Sequence, residues 1–191
     1  RRVLPENHPD TATSLGALAR HSIKRNDLEG ARELYRQAFA VFRDPGERHH
    51  PRAVALMNDY AALLGTMNRY AEAETVQREA LAIGRQVLGP GTLTVANLTN
   101  NLAVTLTSLG RLADAERAFR DAFEQHVAIL GEHHWRVGNI ARNIGRILAL
   151  QQQYATALPW LDRAIANAAA AKKSESPGLE QQHHKDGRGK G

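Results

Sequence analysis

"NLTNNLAVTLTSLGRLADAERAFRDAF", residues 97–123, reads as two helical segments that meet at Gly110. Apolar residues recur every three to four positions on both sides of the glycine, the period of an amphipathic helix and not the alternation of a strand. Glycine at the junction supplies the left-handed backbone that commonly ends a helix. One feature is out of place. Asn97, Asn100 and Asn101 stand inside the first segment, where an amide competes for backbone groups and Ala or Glu would hold a helix better.

The same stretch recurs at a step of 42 residues in both directions. "HPDTATSLGALARHSIKRNDLEGARELYRQAF" begins at His8, and "HPRAVALMNDYAALLGTMNRYAEAETVQREAL" at His50. "TLTVANLTNNLAVTLTSLGRLADAERAFRDAF" begins at Thr92, and "HWRVGNIARNIGRILALQQQYATALPWLDRAI" at His134. The recurring columns are those helix packing needs. A large apolar residue (Leu18, Tyr60, Leu102, Ile144) is expected in the core of each hairpin, followed by a small one (Ala19, Ala61, Ala103, Gly145). Two further small columns, Ala31, Ala73, Ala115, Ala157 and Ala38, Ala80, Ala122, Ala164, let paired helices approach to about 8–10 Å. Leu28, Tyr70, Leu112 and Tyr154 are expected to fill the space beside each turn. The turns are "RNDLEG", "MNRYAE", "LGRLAD" and "QQQYAT", with Asn or Gly relieving the backbone in three of the four. Loop-like connectors "RDPGERHHP", "LGPGT" and "LGEHHW" separate the pairs. The expectation is an all-α chain of eight helices in four antiparallel hairpins, with units 8–49, 50–91, 92–133 and 134–171.

Large-small on a first helix, a Gly or Asn turn followed by an aromatic or Leu, then Ala and Ala on a second helix, resembles the tetratricopeptide repeat. That unit is usually about 34 residues, so each helix here is longer by roughly one turn. The pieces "NLTNNLAVTL", "RYAEAETVQREALAI", "VLGPGTLTVANL" and "ENHPDTA" are similar to the kinesin light chain subclass, and the likeness covers about His8 to Ala171. Gln152, Gln153 and Pro159 depart from the pattern in the fourth unit. The resemblance implies a right-handed superhelical solenoid acting as a protein-interaction module. "VLPENHP" superposes on "ILGEHHW" three steps later, so residues 1–7 are expected to end a truncated preceding unit of a longer array. Residues 172–191, poor in apolar side chains, are expected to form a disordered tail.

In such a solenoid the first helices line the concave wall. Counted from the large apolar residue, positions −1, −2, −5 and +2 project toward that groove. In the third unit these are Asn101, Asn100, Asn97 and Val104; in the fourth, Asn143, Arg142, Asn139 and Arg146. Asn58 holds a matching place in the second unit. An amide offers donors and an acceptor, so a ladder of amides can hold an extended peptide main chain whatever its sequence; in similar arrays a groove Asn does so. Arg142 and Arg146, with Arg20 and Lys24 in the first unit, favour acidic or carboxylate-bearing segments, while Asp59 opposes this locally. For each Asn the plainer readings are a solvated side chain or, for Asn97 and Asn139, a local helix cap.

Composition removes other classes. The net charge is +5, but two charges sit in the tail from Lys172 and one in the first six residues, which leaves +2 on the body and no face for nucleic acid. No apolar run is long enough for a bilayer, so a membrane partner is not expected. With zero cysteines, disulfides, thiolate catalysis and Cys-based zinc sites are out, and the expected compartment is the cytoplasm. The pairs His49-His50, His133-His134 and His183-His184 are read as turn packing or tail and not as metal ligands, and Trp135 and Trp160 as interface fillers. No nucleotide-binding or nucleophile motif is present, so neither enzymatic activity nor a cofactor is expected. Partners are therefore a protein or peptide, with self-association through exposed end repeats, or a role as the regulatory arm of a larger signalling enzyme such as a kinase, as the alternatives.

Overall fold

The computed structural model describes residues 8–42 and 50–175. Within them lie eight α-helices and no strand: α1 (Pro9–Lys24), α2 (Leu28–Ala40), α3 (Pro51–Thr66), α4 (Tyr70–Val87), α5 (Leu93–Ser108), α6 (Leu112–Leu130), α7 (Trp135–Leu150) and α8 (Tyr154–Glu175). The chain divides into two compact units, residues 1–125 and 126–191, with the boundary inside α6. In the first unit α1 packs on α2, α3 on α4, and each hairpin on the next through α2–α3 and α4–α5 contacts; in the second, α7 packs on α8. The helix α8 runs to Glu175, past Ala171 where the fourth hairpin was expected to stop, and continues through Pro159. The truncated helix expected over residues 1–7, His49, and the tail from residue 176 with His183-His184 lie outside the described residues.

The four hairpin turns share one hydrogen-bonding scheme. The residue two past each first helix is left-handed: Asn26 (φ 62°), Asn68 (φ 59°), Gly110 (φ 74°) and Gln152 (φ 62°). Its N–H and the next residue's N–H return to the helix, as in Asn26 N to Ile23 O (2.9 Å) and Asp27 N to Ser22 O (2.9 Å), which satisfies carbonyls the helix end leaves open. The fourth turn, which lacks Asn or Gly, obeys the same scheme through Gln153 N to Leu148 O (2.8 Å). The Cβ of glutamine is strained in that backbone conformation. Gln152 is exposed, so Gln152→Gly loses no packing and is expected to raise stability by about 0.5–1 kcal/mol, read as a higher urea midpoint.

Three first helices begin with a histidine. The Nδ1 atoms of His8, His50 and His134 accept the backbone N–H of Asp10, Arg52 and Arg136, each at 3.1 Å. An N-cap side-chain oxygen usually fills this role. At the equivalent Thr92 the hydroxyl donates instead to Gly89 O (3.1 Å) and caps nothing. His50 and His134, read as turn packing, are thus helix caps, and the capping reading of Asn97 and Asn139 falls, since Thr92 and His134 hold the N-cap positions.

The small columns are buried as their spacing requires, with Ala19, Ala31, Ala38, Ala73, Ala80, Ala103, Ala115 and Ala122 at 0% exposure, except for Ala164, which is half-buried and lines an open hollow on α8. In the large apolar column Leu102 and Ile144 are buried, at 6% and 0% exposure, whereas Leu18 and Tyr60 differ from them. Tyr60 packs against Ala61, Leu64 and Ala73 of its own hairpin and also on Tyr35 (5.7 Å between ring centroids) and Phe39 (5.3 Å), which belong to the second helix of the preceding hairpin. Leu18 stands in the first described helix, with no such helix before it among the described residues, and is 55% exposed. Tyr154 at 64% exposure does not fill the space beside its turn, and Trp135 at 51% is no interface filler within the chain. Trp135 stacks on His134, and the Arg136 guanidinium lies 5.2 Å from its ring centre.

Candidate functional site

Spacing along α3 and α5 brings Asn58 and Asn101 opposite one another. Asn101 Nδ2 donates to Asn58 Oδ1 at 2.8 Å, a bridge between neighbouring first helices, and Asn100 Nδ2 reaches Asn101 Oδ1 at 3.4 Å. The two bridged amides open onto a cleft of about 450 Å³ between α3, α4 and α5, whose walls include Ala62 and Val104. None of the described residues lining the cleft is charged. Gln77 and Thr105 line it from α4 and α5, 4% and 6% exposed.

Of the expected positions on α5, Asn101 and Val104 line this cleft, whereas Asn97 and Asn100 do not. Asn100 Oδ1 is buried without a partner. In the second unit, Asn139 and Arg142 line a different hollow, of about 560 Å³, together with Trp135 and with Leu161 and Ile165 of α8. Asn143 is half-buried and Arg146 exposed outside that hollow. The fourth-unit residues therefore divide between two surfaces of α7.

Charge on the first helices is largely matched by position. Arg20 Nη1 pairs with Asp59 Oδ2 at 2.8 Å, one hairpin on, and Arg52 pairs with Asp10 one repeat back. Lys24 lies exposed in the last turn of α1, where a cation suits the helix dipole. On the second helices a chain of ions links α4 to the start of α6: Arg78 and Arg111 both reach Glu74 Oε1, at 2.8 and 2.7 Å, and Arg111 also holds Asp114. Burial pushes Glu74 up, but hydrogen bonds from Arg78 and Arg111 more than offset this and hold its carboxyl below the usual range. Among the described residues no helix is long and apolar enough to cross a membrane, and no group of three His, Asp or Glu is placed to hold a metal ion.

Tetratricopeptide repeat family models match residues 51–125, 94–170 and 11–44. The chain belongs to the tetratricopeptide repeat family. No curated protein matches it by sequence. Among solved structures this tetratricopeptide chain is similar to BtubC (BKLC) from P. vanneervenii, with TM-score 0.81 and 20% identity over 86% of this chain and 66% of BtubC. It is also similar to the nearly identical TPR-like repeats of a Podosopora anserina kinesin light chain candidate, with TM-score 0.74 and 18% identity over 88% and 78% of the two chains. A Rap protein complexed with competence and sporulation factor matches with TM-score 0.71 and 21% identity, covering 87% of this chain. This chain spans 66% of BtubC's length, just under two thirds, and 44% of the Rap protein's. Tetratricopeptide arrays typically serve as protein-interaction scaffolds, with stacked hairpins presenting their helix faces.

Proposed function

We propose that this tetratricopeptide array binds an extended peptide segment of a partner protein along its first helices, with groove amides holding the ligand main chain. The observation that carries the reading is the Asn58–Asn101 bridge at an open, uncharged cleft, where two amides already in register keep further donor and acceptor capacity. The similar Rap protein is complexed with a factor, which supports a ligand-accepting role for the fold. We assign Asn97 and Asn100 to the same function within the first unit, as flanking main-chain contacts, and Asn139 and Asn143 to peptide contact on α7 of the second unit, taken by itself. Arg142 and Arg146 are exposed and make no ion pair among the described residues, so the surface of α7 in the second unit would favour acidic side chains. Arg20 is engaged by Asp59 and contributes less. A peptide-array capture experiment tests this. Asn101→Ala with Asn143→Ala is expected to weaken capture by about tenfold, the worth of one or two neutral hydrogen bonds. A double variant that keeps its helical circular dichroism and captures the same peptides equally well would sink the proposal.

A second reading, stacking of one copy on another, has an observation of its own. Leu161 and Ile165 stand three repeat steps after Tyr35 and Phe39, the residues that receive Tyr60, and Ile165 is 68% exposed. Leu18 of a second copy is the matching knob. Light scattering is expected to show size rising with concentration and Ile165→Lys to abolish the rise; a size independent of concentration in the unaltered chain removes this reading.

A further inference from the structure

The columns of the repeat expose an anomaly at the cleft. Position 77 belongs with Tyr35, Phe119 and Leu161, and position 105 with His21, Leu63 and Ile147. Apart from His21, exposed on the first described helix, these neighbours are large and apolar or aromatic, and Tyr35, Phe119, Leu63 and Ile147 are all buried. Where the second hairpin meets the third, the two columns hold Gln77 and Thr105 instead, which are smaller or polar yet almost as buried. The side chains that would fill the space are missing there, and the cleft of about 450 Å³ is what remains. Gln77 Oε1 is buried with no hydrogen-bond partner. A buried carbonyl without a donor is costly, and simple packing would have been served better by the Tyr or Phe of the neighbouring repeats.

We propose that this cleft is a selective pocket for a primary carboxamide side chain, Asn or Gln, carried by the bound segment, with Gln77 as the residue that reads it. The inference rests on the groove reading above. The walls carry no charge, so an ammonium or carboxylate would be stripped of water without a counter-ion. A purely apolar side chain would leave the Gln77 amide unanswered. The carbonyl of Gln77 needs a donor, its amide nitrogen can donate to an acceptor, and a half-turn of the terminal torsion exchanges which of them faces the cleft. A primary carboxamide supplies both functions in one planar group, whereas an indole supplies a donor alone. Thr105 beside it can donate or accept. A main-chain amide carries a substituent on its nitrogen and offers one N–H where the side chain offers two, so the side chain is the source we assign.

Titration of the whole chain by two-dimensional amide NMR tests the pocket, with propionamide as the side-chain probe and N-methylacetamide, propionate and n-propylammonium as the alternatives. Propionamide is expected to shift the signals of Ala62, Gln77 and Thr105 and to bind about tenfold more tightly than the other three. Gln77→Met keeps the shape and removes the amide, and Gln77→Phe restores the filler of the neighbouring repeats; both are expected to stay folded and to lose the propionamide response. Equal binding of any of the other probes, or an unchanged response in Gln77→Met, overturns the pocket. Peptides captured without preference for Asn or Gln at any position also overturn it while leaving the groove intact. Propionamide binding in a chain that captures no peptide supports the pocket and removes the groove.

Discussion

Tyr35→Ala is expected to lower the free energy of unfolding by about 3–5 kcal/mol, and Tyr35→Phe to raise it by about 1 kcal/mol. The two signs come from two parts of one side chain. The ring is 0% exposed, lies in the core formed by Ala19, Ala31, Ala53 and Leu56, and meets Tyr60 at 5.7 Å, so its removal leaves a cavity at the junction of two hairpins. The hydroxyl, by contrast, is buried without a partner, and phenylalanine removes that unmet group while keeping the ring. Burial, reinforced by Asp59 and opposed by Arg20, pushes the hydroxyl up to about 12 from 10.0. The unfolded chain therefore releases this proton near pH 10 while the folded chain keeps it. The contribution is intact below pH 10 and is lost as pH rises toward 12. Urea midpoints measured across that interval should fall less steeply for Tyr35→Phe than for the unaltered chain.

Gly138→Ala is expected to cost about 3 kcal/mol in the second unit, far beyond the usual effect of a single methyl group. A Cβ on Gly138 would stand 2.7 Å from Asn167 Cβ, an atom fixed to its backbone, so α7 and α8 must part. Parting breaks a second feature. Asn167 is 2% exposed, and its Nδ2 donates to Glu132 O (2.8 Å) and His134 O (3.5 Å), tying α8 to the connector ahead of α7. The methyl group thus adds overlap and also strands a buried amide. Asn167→Gly added to Gly138→Ala should relieve the overlap without restoring these bonds, and recovery of full stability in that pair would show the hydrogen bonds to be idle.

Much of the helical architecture was readable because its determinants are local or periodic. Asn26, Asn68 and Gly110 announce left-handed turns by residue type, and the alanine columns announce close helix approach by spacing. Gln152 could not announce its turn, because nothing in glutamine favours positive φ; the two returning hydrogen bonds impose it. Leu18 looked like core because Tyr60, Leu102 and Ile144 share its column, but Tyr60 draws part of its burial from the second helix of the preceding hairpin, and Leu18 has no such helix before it among the described residues. Histidine is not among the usual N-caps, so His8, His50 and His134 carried no signal of that role.

Site residues were less legible. Asn101 and Asn58 are 43 residues apart, and their bond depends on the offset between stacked helices, which no single-helix count contains. Gln77 is hidden for another reason. Within α4 it follows Glu74 and Val76 and precedes Arg78, and reads as part of a solvated face. Only comparison with Tyr35, Phe119 and Leu161 shows that its place is buried, and that signal was present in the sequence.

The uniform turn at residues 26, 68, 110 and 152 bears on how such a chain can grow. Because each junction uses the same backbone torsions and the same pair of returning bonds, a whole extra block can be spliced in by gene duplication without a seam. Loss or gain of one codon inside a helix does the opposite: it swings the side chains beyond it by about 100° and turns alanines that should meet a neighbour toward water. Length is thus free to drift in whole blocks, while phase within a block is not.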